Sequence, residues 1–391
     1  MRKRLPSAIA TVTLAWLVGT ADAAEPGTAG PQAAAPAAIA LPDSPAVADS
    51  PAIFPGPGHE NGNPDGGFTA GAALLIVKPF FQTNPGLSAT RASVSPAGTA
   101  TTILTSASDF DYSYSASPKL WLGWVSESGL GARVSWWRFD QAAKQQLLAF
   151  NTPVAAPLVG EGAASQSFFS GNASAGAVTP PLAITVGPLV GAAGETPATL
   201  IATSNLKVDV WDVEATQDCA LGSWCLQLSG GVRYAHIDQN YNAYSAQPSL
   251  PGGALSNALL TGHNYDGAGP TVAGQLRREL GKSGLALIAN VRGSELYGSG
   301  RQQATEQTVF VPAAGGPTLV TTSNGFHTHD GLLRIAEVEL GVQYTQELGG
   351  ARLFIQPALV GQSWSGSAGN ASSQTGDLGF FGLELEIGVN F

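Results

Sequence analysis

The sequence predicts an all-β chain closing into an antiparallel transmembrane β-barrel of about ten strands, with eight or twelve as the neighbouring counts. Three observations carry that expectation. Charged residues make up 12% and hydrophobic residues 44% of the 391 positions, which is too little charge for an ordinary soluble surface and too much polarity for helical spans. In the last segment Phe381, Leu383, Leu385, Ile387, Val389 and Phe391 alternate with Gly382, Glu384, Glu386, Gly388 and Asn390, giving one apolar face and one polar face. Short and long connections alternate along the chain, as in barrels with tight periplasmic turns and long external loops.

At the N-terminus, Arg2, Lys3 and Arg4 precede the apolar run from Ala8 to Gly19, and Ala21-Asp22-Ala23 supplies small residues for cleavage. Residues 1–23 are therefore expected to be a secretory signal peptide, the run being well short of the ~20 apolar residues of a membrane anchor. Residues 24–66 are rich in Ala, Pro and Gly without a helical or strand period, and are expected to be a disordered leader. The barrel is expected over 67–391. Losing the signal removes three bases and leaves a chain of net charge -10 more acidic still, which excludes the basic patch that nucleic acid requires.

Strands are expected near 68–81, 117–125, 129–139, 205–217, 223–238, 266–280, 284–294, 331–346, 351–363 and 378–391. The segment 336–345 repeats the terminal pattern, with Ala336, Val338, Leu340, Val342 and Tyr344 opposing Glu337, Glu339, Gly341, Gln343 and Thr345. In two further strands Arg133 and Arg233 fall on the polar face. A base facing lipid at mid-depth costs roughly 2–4 kcal/mol, so both point inward, as does Arg277, while Arg278 snorkels at an interface. The segments near 205–217, 284–294 and 351–363 alternate imperfectly, and Pro357 sits awkwardly in a ladder. Long loops are expected near 82–116, 140–204, 239–265, 295–330 and 364–377, and the proline-interrupted stretch 178–203 reads as loop. Within the fourth, 304–311 and 318–324 flank a Gly-Pro turn and are expected to continue their neighbouring strands above the membrane.

Cys219 and Cys225 close a short loop, and in an exported chain they are disulfide candidates. Trp121, Trp124, Trp136, Trp137, Phe139, Phe80 and Phe81 lie near expected strand ends, where membrane interfaces favour aromatic rings. His327-Thr328-His329-Asp330 is the densest catalytic or metal candidate, but no nucleophile or third ligand accompanies it, so a solvated loop rim is the expectation. No enzyme activity, metal or cofactor is expected. What remains is the lumen, where Arg133, Arg233, Arg277, Glu337, Glu339, Glu384 and Glu386 are candidate pore-lining residues.

Specific strings add a family expectation. Asp109-Phe110-Asp111-Tyr112, Ser117-Pro118-Lys119-Leu120-Trp121-Leu122-Gly123-Trp124 and Ala132-Arg133-Val134-Ser135-Trp136-Trp137-Arg138-Phe139-Asp140 are followed by Asp212-Val213-Glu214-Ala215-Thr216, Gly231-Val232-Arg233-Tyr234 and Gly269-Pro270-Thr271-Val272. In that order they resemble the Legionella major outer-membrane protein family of pore-forming barrels, over nearly everything after Phe68. The resemblance implies a porin-like barrel in the outer membrane of a Gram-negative-type bacterium, passing small solutes or ions. It also implies that Phe391 is the terminal aromatic presented to the barrel-assembly machinery. Outer-membrane lipid, that machinery and the solutes are the expected partners, with a closed structural or adhesive barrel as the rival. The Pro/Ala-rich leader and the long second loop depart from the family's pattern.

Overall fold

The computed structural model describes residues 66–94, 101–155, 182–186, 192–250, 253–371 and 376–391. The expected signal peptide and nearly all of the leader lie outside them. Among the described residues fourteen strands form: β1 Gly67–Phe81, β2 Pro85–Val94, β3 Thr101–Asp109, β4 Ser115–Val125, β5 Leu130–Ala142, β6 Gln146–Ala155, β7 Leu182–Val186, β8 Ala192–Leu221, β9 Trp224–Leu250, β10 Gly253–Glu279, β11 Leu285–Pro312, β12 Leu319–Leu348, β13 Ala351–Gly366 and β14 Leu378–Asn390.

Ten of these make a ring in the order β5-β4-β1-β14-β13-β12-β11-β10-β9-β8, closed by pairing of β5 with β8. Pairing Trp136 with Trp211 and Arg133 with Glu214, the β5–β8 ladder is the seam that removes both sheet edges. β1 and β14 pair from Thr69↔Asn390 to Phe81↔Leu378, so the chain enters and leaves the ring at one rim. The turns at that rim are tight. Gly222 stands at φ 64 and Gly349 at φ 59, a left-handed backbone that a residue with a Cβ adopts only with strain.

Burial confirms the alternation and adds a feature the sequence hid. Near the turn rim, outward residues are apolar and inward ones are charged: in β12, Val338, Leu340 and Val342 are exposed while Glu337 and Glu339 turn in. Farther along the same strands the pattern inverts. Leu333 and Ile335 are buried while Arg334 faces out. In β8, Asp212 and Glu214 point in beneath Leu206, Val208 and Val210, and Lys207 and Asp209 point out above Trp211 and Val213. β5 does the same, with Trp137 and Phe139 inward, Arg138 and Asp140 outward, and Val134 and Trp136 in the apolar outer belt. This change of phase is what a lipid boundary dictates. Inside the bilayer the outer wall must be apolar; above it the wall meets water and the enclosed space is filled by a hydrophobic core.

The inverted region accounts for most departures from expectation. Residues 239–250 and 253–265, and 295–312 and 319–330, are not loops but outward continuations of β9–β10 and β11–β12, as expected only for the second hairpin; β11 and β12 pair without interruption out to Phe310↔Leu319. The stretch 178–203 is likewise corrected: β7 and the start of β8 lie in it. Pro197 is tolerated where β8 is flanked by β6 but not yet by β9, whose pairing begins at Thr199↔Ala246. β2, β3 and β7 form a separate small sheet within the regions expected as the first and second long loops. Pro357 faces outward, and the β12–β13 register lacks a pair opposite it, between Gly341↔Ala358 and Tyr344↔Ile355.

Candidate functional site

Each strand brings its inward charges to one level because alternate residues share a face and the ring aligns them. Arg233 of β9 lies at the centre. Its Nε donates to Asp212 at 2.6 Å and its Nη1 to Glu337 at 2.8 Å, and its side chain is only 3% exposed. Arg292 of β11 donates to Glu214 and lies 3.5 Å from Asp212 and 3.4 Å from Glu337. Arg133 of β5 reaches Glu214 at 2.9 Å. Beside this network stands a second group: Lys119 of β4 donates to Glu384 at 2.8 Å, the Trp121 indole donates to Glu386 at 2.9 Å, and Gln356 donates to Glu339 at 2.7 Å. Six carboxylates thus face four bases in one belt. A cavity of about 60 Å³ touches Lys119, Asp212, Arg233, Arg292, Glu337 and Glu384, enough for a few water molecules.

Above the belt the lumen is apolar. Trp137, Phe139, Trp364 and Phe380 are buried together, with ring centroids 5.4 Å apart for Trp137–Phe380 and 5.2 Å for Phe139–Phe380, both edge-on. Such contacts add about 0.5–1.5 kcal/mol beyond buried area, which makes this layer a rigid floor for the loops resting on it. Those loops come from 82–84, 109–112 and 367–371. The Gln239 amide ties them: its Nε2 lies 3.1 Å from Asn84 Oδ1, 3.3 Å from Tyr112 Oη and 3.2 Å from Ser204 Oγ, and its Oε1 accepts the Ala371 N–H at 2.8 Å. Asp111, at the outer surface of the same loop, bonds Lys78 and Lys144, which hold its carboxyl down at about 2.

All seven lumen candidates do turn inward. Arg133, Arg233, Glu337, Glu339, Glu384 and Glu386 converge, whereas Arg277 lies toward the turn rim, 3.4 Å from Glu279. Lys119, Asp212, Glu214 and Arg292 were missed. Asp212 and Glu214 follow inward valines that blur the alternation, and Arg292 follows inward Ala286 and Ile288.

Other expectations are corrected. Cys219 and Cys225 are free and exposed. Cys219 registers with Leu226 and Cys225 with Ala220, so the two side chains project from opposite faces of the wall and cannot bridge. Among the aromatics, Trp124, Trp136 and Phe80 do face outward, but Trp121, Trp137, Phe139 and Phe81 face inward. Trp121 stacks on Phe354 at 6.2 Å in space left by Gly71, where a Cβ would come within 2.5 Å of the indole. The His327–Asp330 segment lies in β12 above the membrane, with the His329 ring 6.4 Å from that of His263. Among the described residues no group of three His, Cys, Asp or Glu side chains is placed to hold a metal ion. Phe391 ends the chain exposed, its N–H donating to Phe68 O at 2.9 Å.

A closed antiparallel ring with an apolar outer belt, a charged interior and an inverted pattern above the belt defines an integral outer-membrane β-barrel. The family model described as Legionella pneumophila major outer membrane protein precursor matches residues 63–378, and the chain belongs to that family. Its place is therefore the outer membrane of a Gram-negative bacterium. Curated proteins give no match. Solved structures similar to the chain include the outer membrane protease OmpT from Escherichia coli, at 10% identity over 84% of this chain and 97% of that one, with a TM-score of 0.34. Two others are the toluene transporter TodX of P. putida, at 7% identity over 83% and 89% with a TM-score of 0.19, and a FadL homologue of Pseudomonas aeruginosa, at 6% over 84% and 90% with a TM-score of 0.21. None of these likenesses bears on what this chain does.

Proposed function

We propose that the barrel is a porin-like passage for small ions and solutes, without enzymatic activity, and that the described conformation is its shut state. The observation that carries this reading is the belt of six carboxylates and four bases surrounding a hydrated-size cavity inside the membrane-spanning part of the ring. A wall of unlike charges screens a passing ion and selects by width and sign, and the surplus of carboxylates favours cations. Ten strands lie near the lower limit at which a lumen stays open, so the passage is narrow. Its opening requires the loops tied by Gln239 to lift and the aromatic layer beneath them to part.

One observation favours a second reading, a structural surface barrel with a permanently filled lumen: the buried layer of Trp137, Phe139, Trp364 and Phe380 already spans the interior at core-like packing. Single-channel recording of refolded protein in planar bilayers separates the two. The passage reading predicts small, infrequent openings with cation preference, and Glu384→Gln with Glu386→Gln moves the reversal potential toward anions. Complete silence, persisting when Gln239→Ala releases the loops, would establish the structural barrel instead.

A further inference from the structure

Asp266 of β10 registers with His236, at the level where the outer wall turns polar. From there to Arg278 a strand rising ~3.3 Å per residue at a tilt of about 40° covers roughly 30 Å along the membrane normal. Arg278 therefore stands at the level of the lipid headgroups nearest the short turns, and it is exposed on the same outward face as Leu276. Arg277 and Arg352, the other strand bases of this rim, turn inward, 3.4 Å from Glu279 and 3.3 Å from Glu347 respectively. Among the described residues no carboxylate pairs with Arg278, and its guanidinium lies instead 5.1 Å from the centre of the Trp224 ring. An aromatic face attracts the cation but leaves its N–H donors open to an anion.

Beside Arg278 the wall is hollow. A depression of about 300 Å³ is lined by the side chains of Trp224, Leu287, Ala289 and Leu340, and Ile288 and Gly341, which point into the lumen, supply main chain at its floor. The register explains it. Arg278 pairs with Leu287, and one level farther into the membrane Leu276 pairs with Ala289 and Ala289 with Leu340. The small Ala289 between two leucines leaves the space, with Arg278 at its headgroup end. Within a bilayer such an apolar hollow takes up hydrocarbon rather than water, because left empty it forfeits the dispersion contacts of its walls.

We infer that the hollow and Arg278 together form a binding site for an anionic phospholipid of the turn-side leaflet, with one acyl chain lying along Ala289 and the phosphate held by the guanidinium. The planar fork of arginine matches two phosphate oxygens, and the Trp224 face steadies it against the wall before the lipid arrives. Charge complementarity selects the headgroup. Arg278 and Lys282, in the turn just beyond, attract a headgroup of net negative charge and repel the choline of a zwitterionic one, while the intervening Glu279 is held by Arg277. The inference stands independently of whether the lumen conducts.

Native mass spectrometry of the full chain refolded in a neutral detergent tests it, with dioleoylphosphatidylglycerol and dioleoylphosphatidylcholine supplied in equal amounts. The chain should retain the first about tenfold over the second, the equivalent of one charge-assisted hydrogen bond. Arg278→Gln should remove most of that preference, and Ala289→Leu, which fills the hollow, should lower retention of both lipids. Both variants should keep the heat-modified gel mobility of the folded barrel. Equal retention of the two lipids by the unaltered chain, or a preference undiminished in Arg278→Gln, would show ordinary annular lipid and overturn the inference. A dimer in lipid-free detergent that Ala289→Leu abolishes would overturn it as well, by showing that a second copy covers the hollow.

Discussion

Arg233 is the most deeply buried base of the charged belt, with 3% of its side chain exposed. It joins Asp212 of one neighbouring strand to Glu337 across the lumen, and both carboxylates are largely shielded from solvent, at 7% and 19% side-chain exposure. Replacing one partner in such a network strands the others without compensation, at a cost of about 3–5 kcal/mol. Arg233→Met should therefore lower the urea midpoint of the barrel in lipid vesicles by that equivalent, and a change under about 1 kcal/mol would show the network to be water-filled and slack. Gln239 works at the opposite end of the lumen, where one amide holds three loop segments. With Gln239→Ala, the amides of 82–84 and 367–371 should exchange faster while those of the membrane-spanning strands stay protected. Equal exchange in the variant would mean that the aromatic layer alone holds the loops. Glycine sets the other residue-scale limit, since Gly71→Ala brings a methyl into the Trp121 indole and should disturb its bond to Glu386.

At the scale of the element, each long strand is two amphipathic segments joined out of phase. β14 and the inner part of β12 were legible because they display a single phase, with glutamates in and aliphatics out. β8 was not, because Val208 and Val210 face inward directly before Asp212 and Glu214 do. An average over the whole segment erases both signals. The same inversion turned Trp137 and Phe139 inward when strand-end position alone had placed them in a girdle. It also hid the outer halves of β9 and β10, whose polar outward residues read as loop. The short cysteine turn was correctly located, but chain proximity says nothing about which face a side chain takes.

The outer sheet of β8–β12 carries its own pH dependence. His263 is fully buried above the membrane, and burial, reinforced by His329, pushes its imidazole down from 6.5 to about 4. A group held neutral in the folded state contributes stability that is complete above its ordinary value and is lost as pH falls toward the folded one. Amides around 259–267 should therefore exchange faster, after correction for intrinsic rates, as pH drops from about 6.5 to 4. His263→Asn should flatten that profile; an unchanged profile would place the proton elsewhere.

The ring itself, from Gly67 to Asn390, is a short membrane cylinder with a taller extracellular wall. The level where outward residues change from apolar to polar or charged recurs in β1, β5, β8, β9, β11 and β12, for example at Lys78, Arg138, Asp209, His236, Glu295 and Arg334. One plane through so many strands has one physical cause, the outer surface of the bilayer. The belt of carboxylates and bases then lies within the membrane, and the aromatic layer near its outer surface. A functional reading of the lumen depends on that placement.

Fluorescence quenching measures it directly. With Cys219 and Cys225 replaced by Ser, single cysteines along β12 from 333 to 344 carry an environment-sensitive dye, in vesicles whose lipids bear a quencher on the acyl chain. The account predicts strong quenching at 336, 338, 340 and 342, weak quenching at 337 and 339, and at 334 no more than its inward neighbours show. Quenching at 334 equal to that at 340, or at 337 and 339 equal to their neighbours, would contradict it.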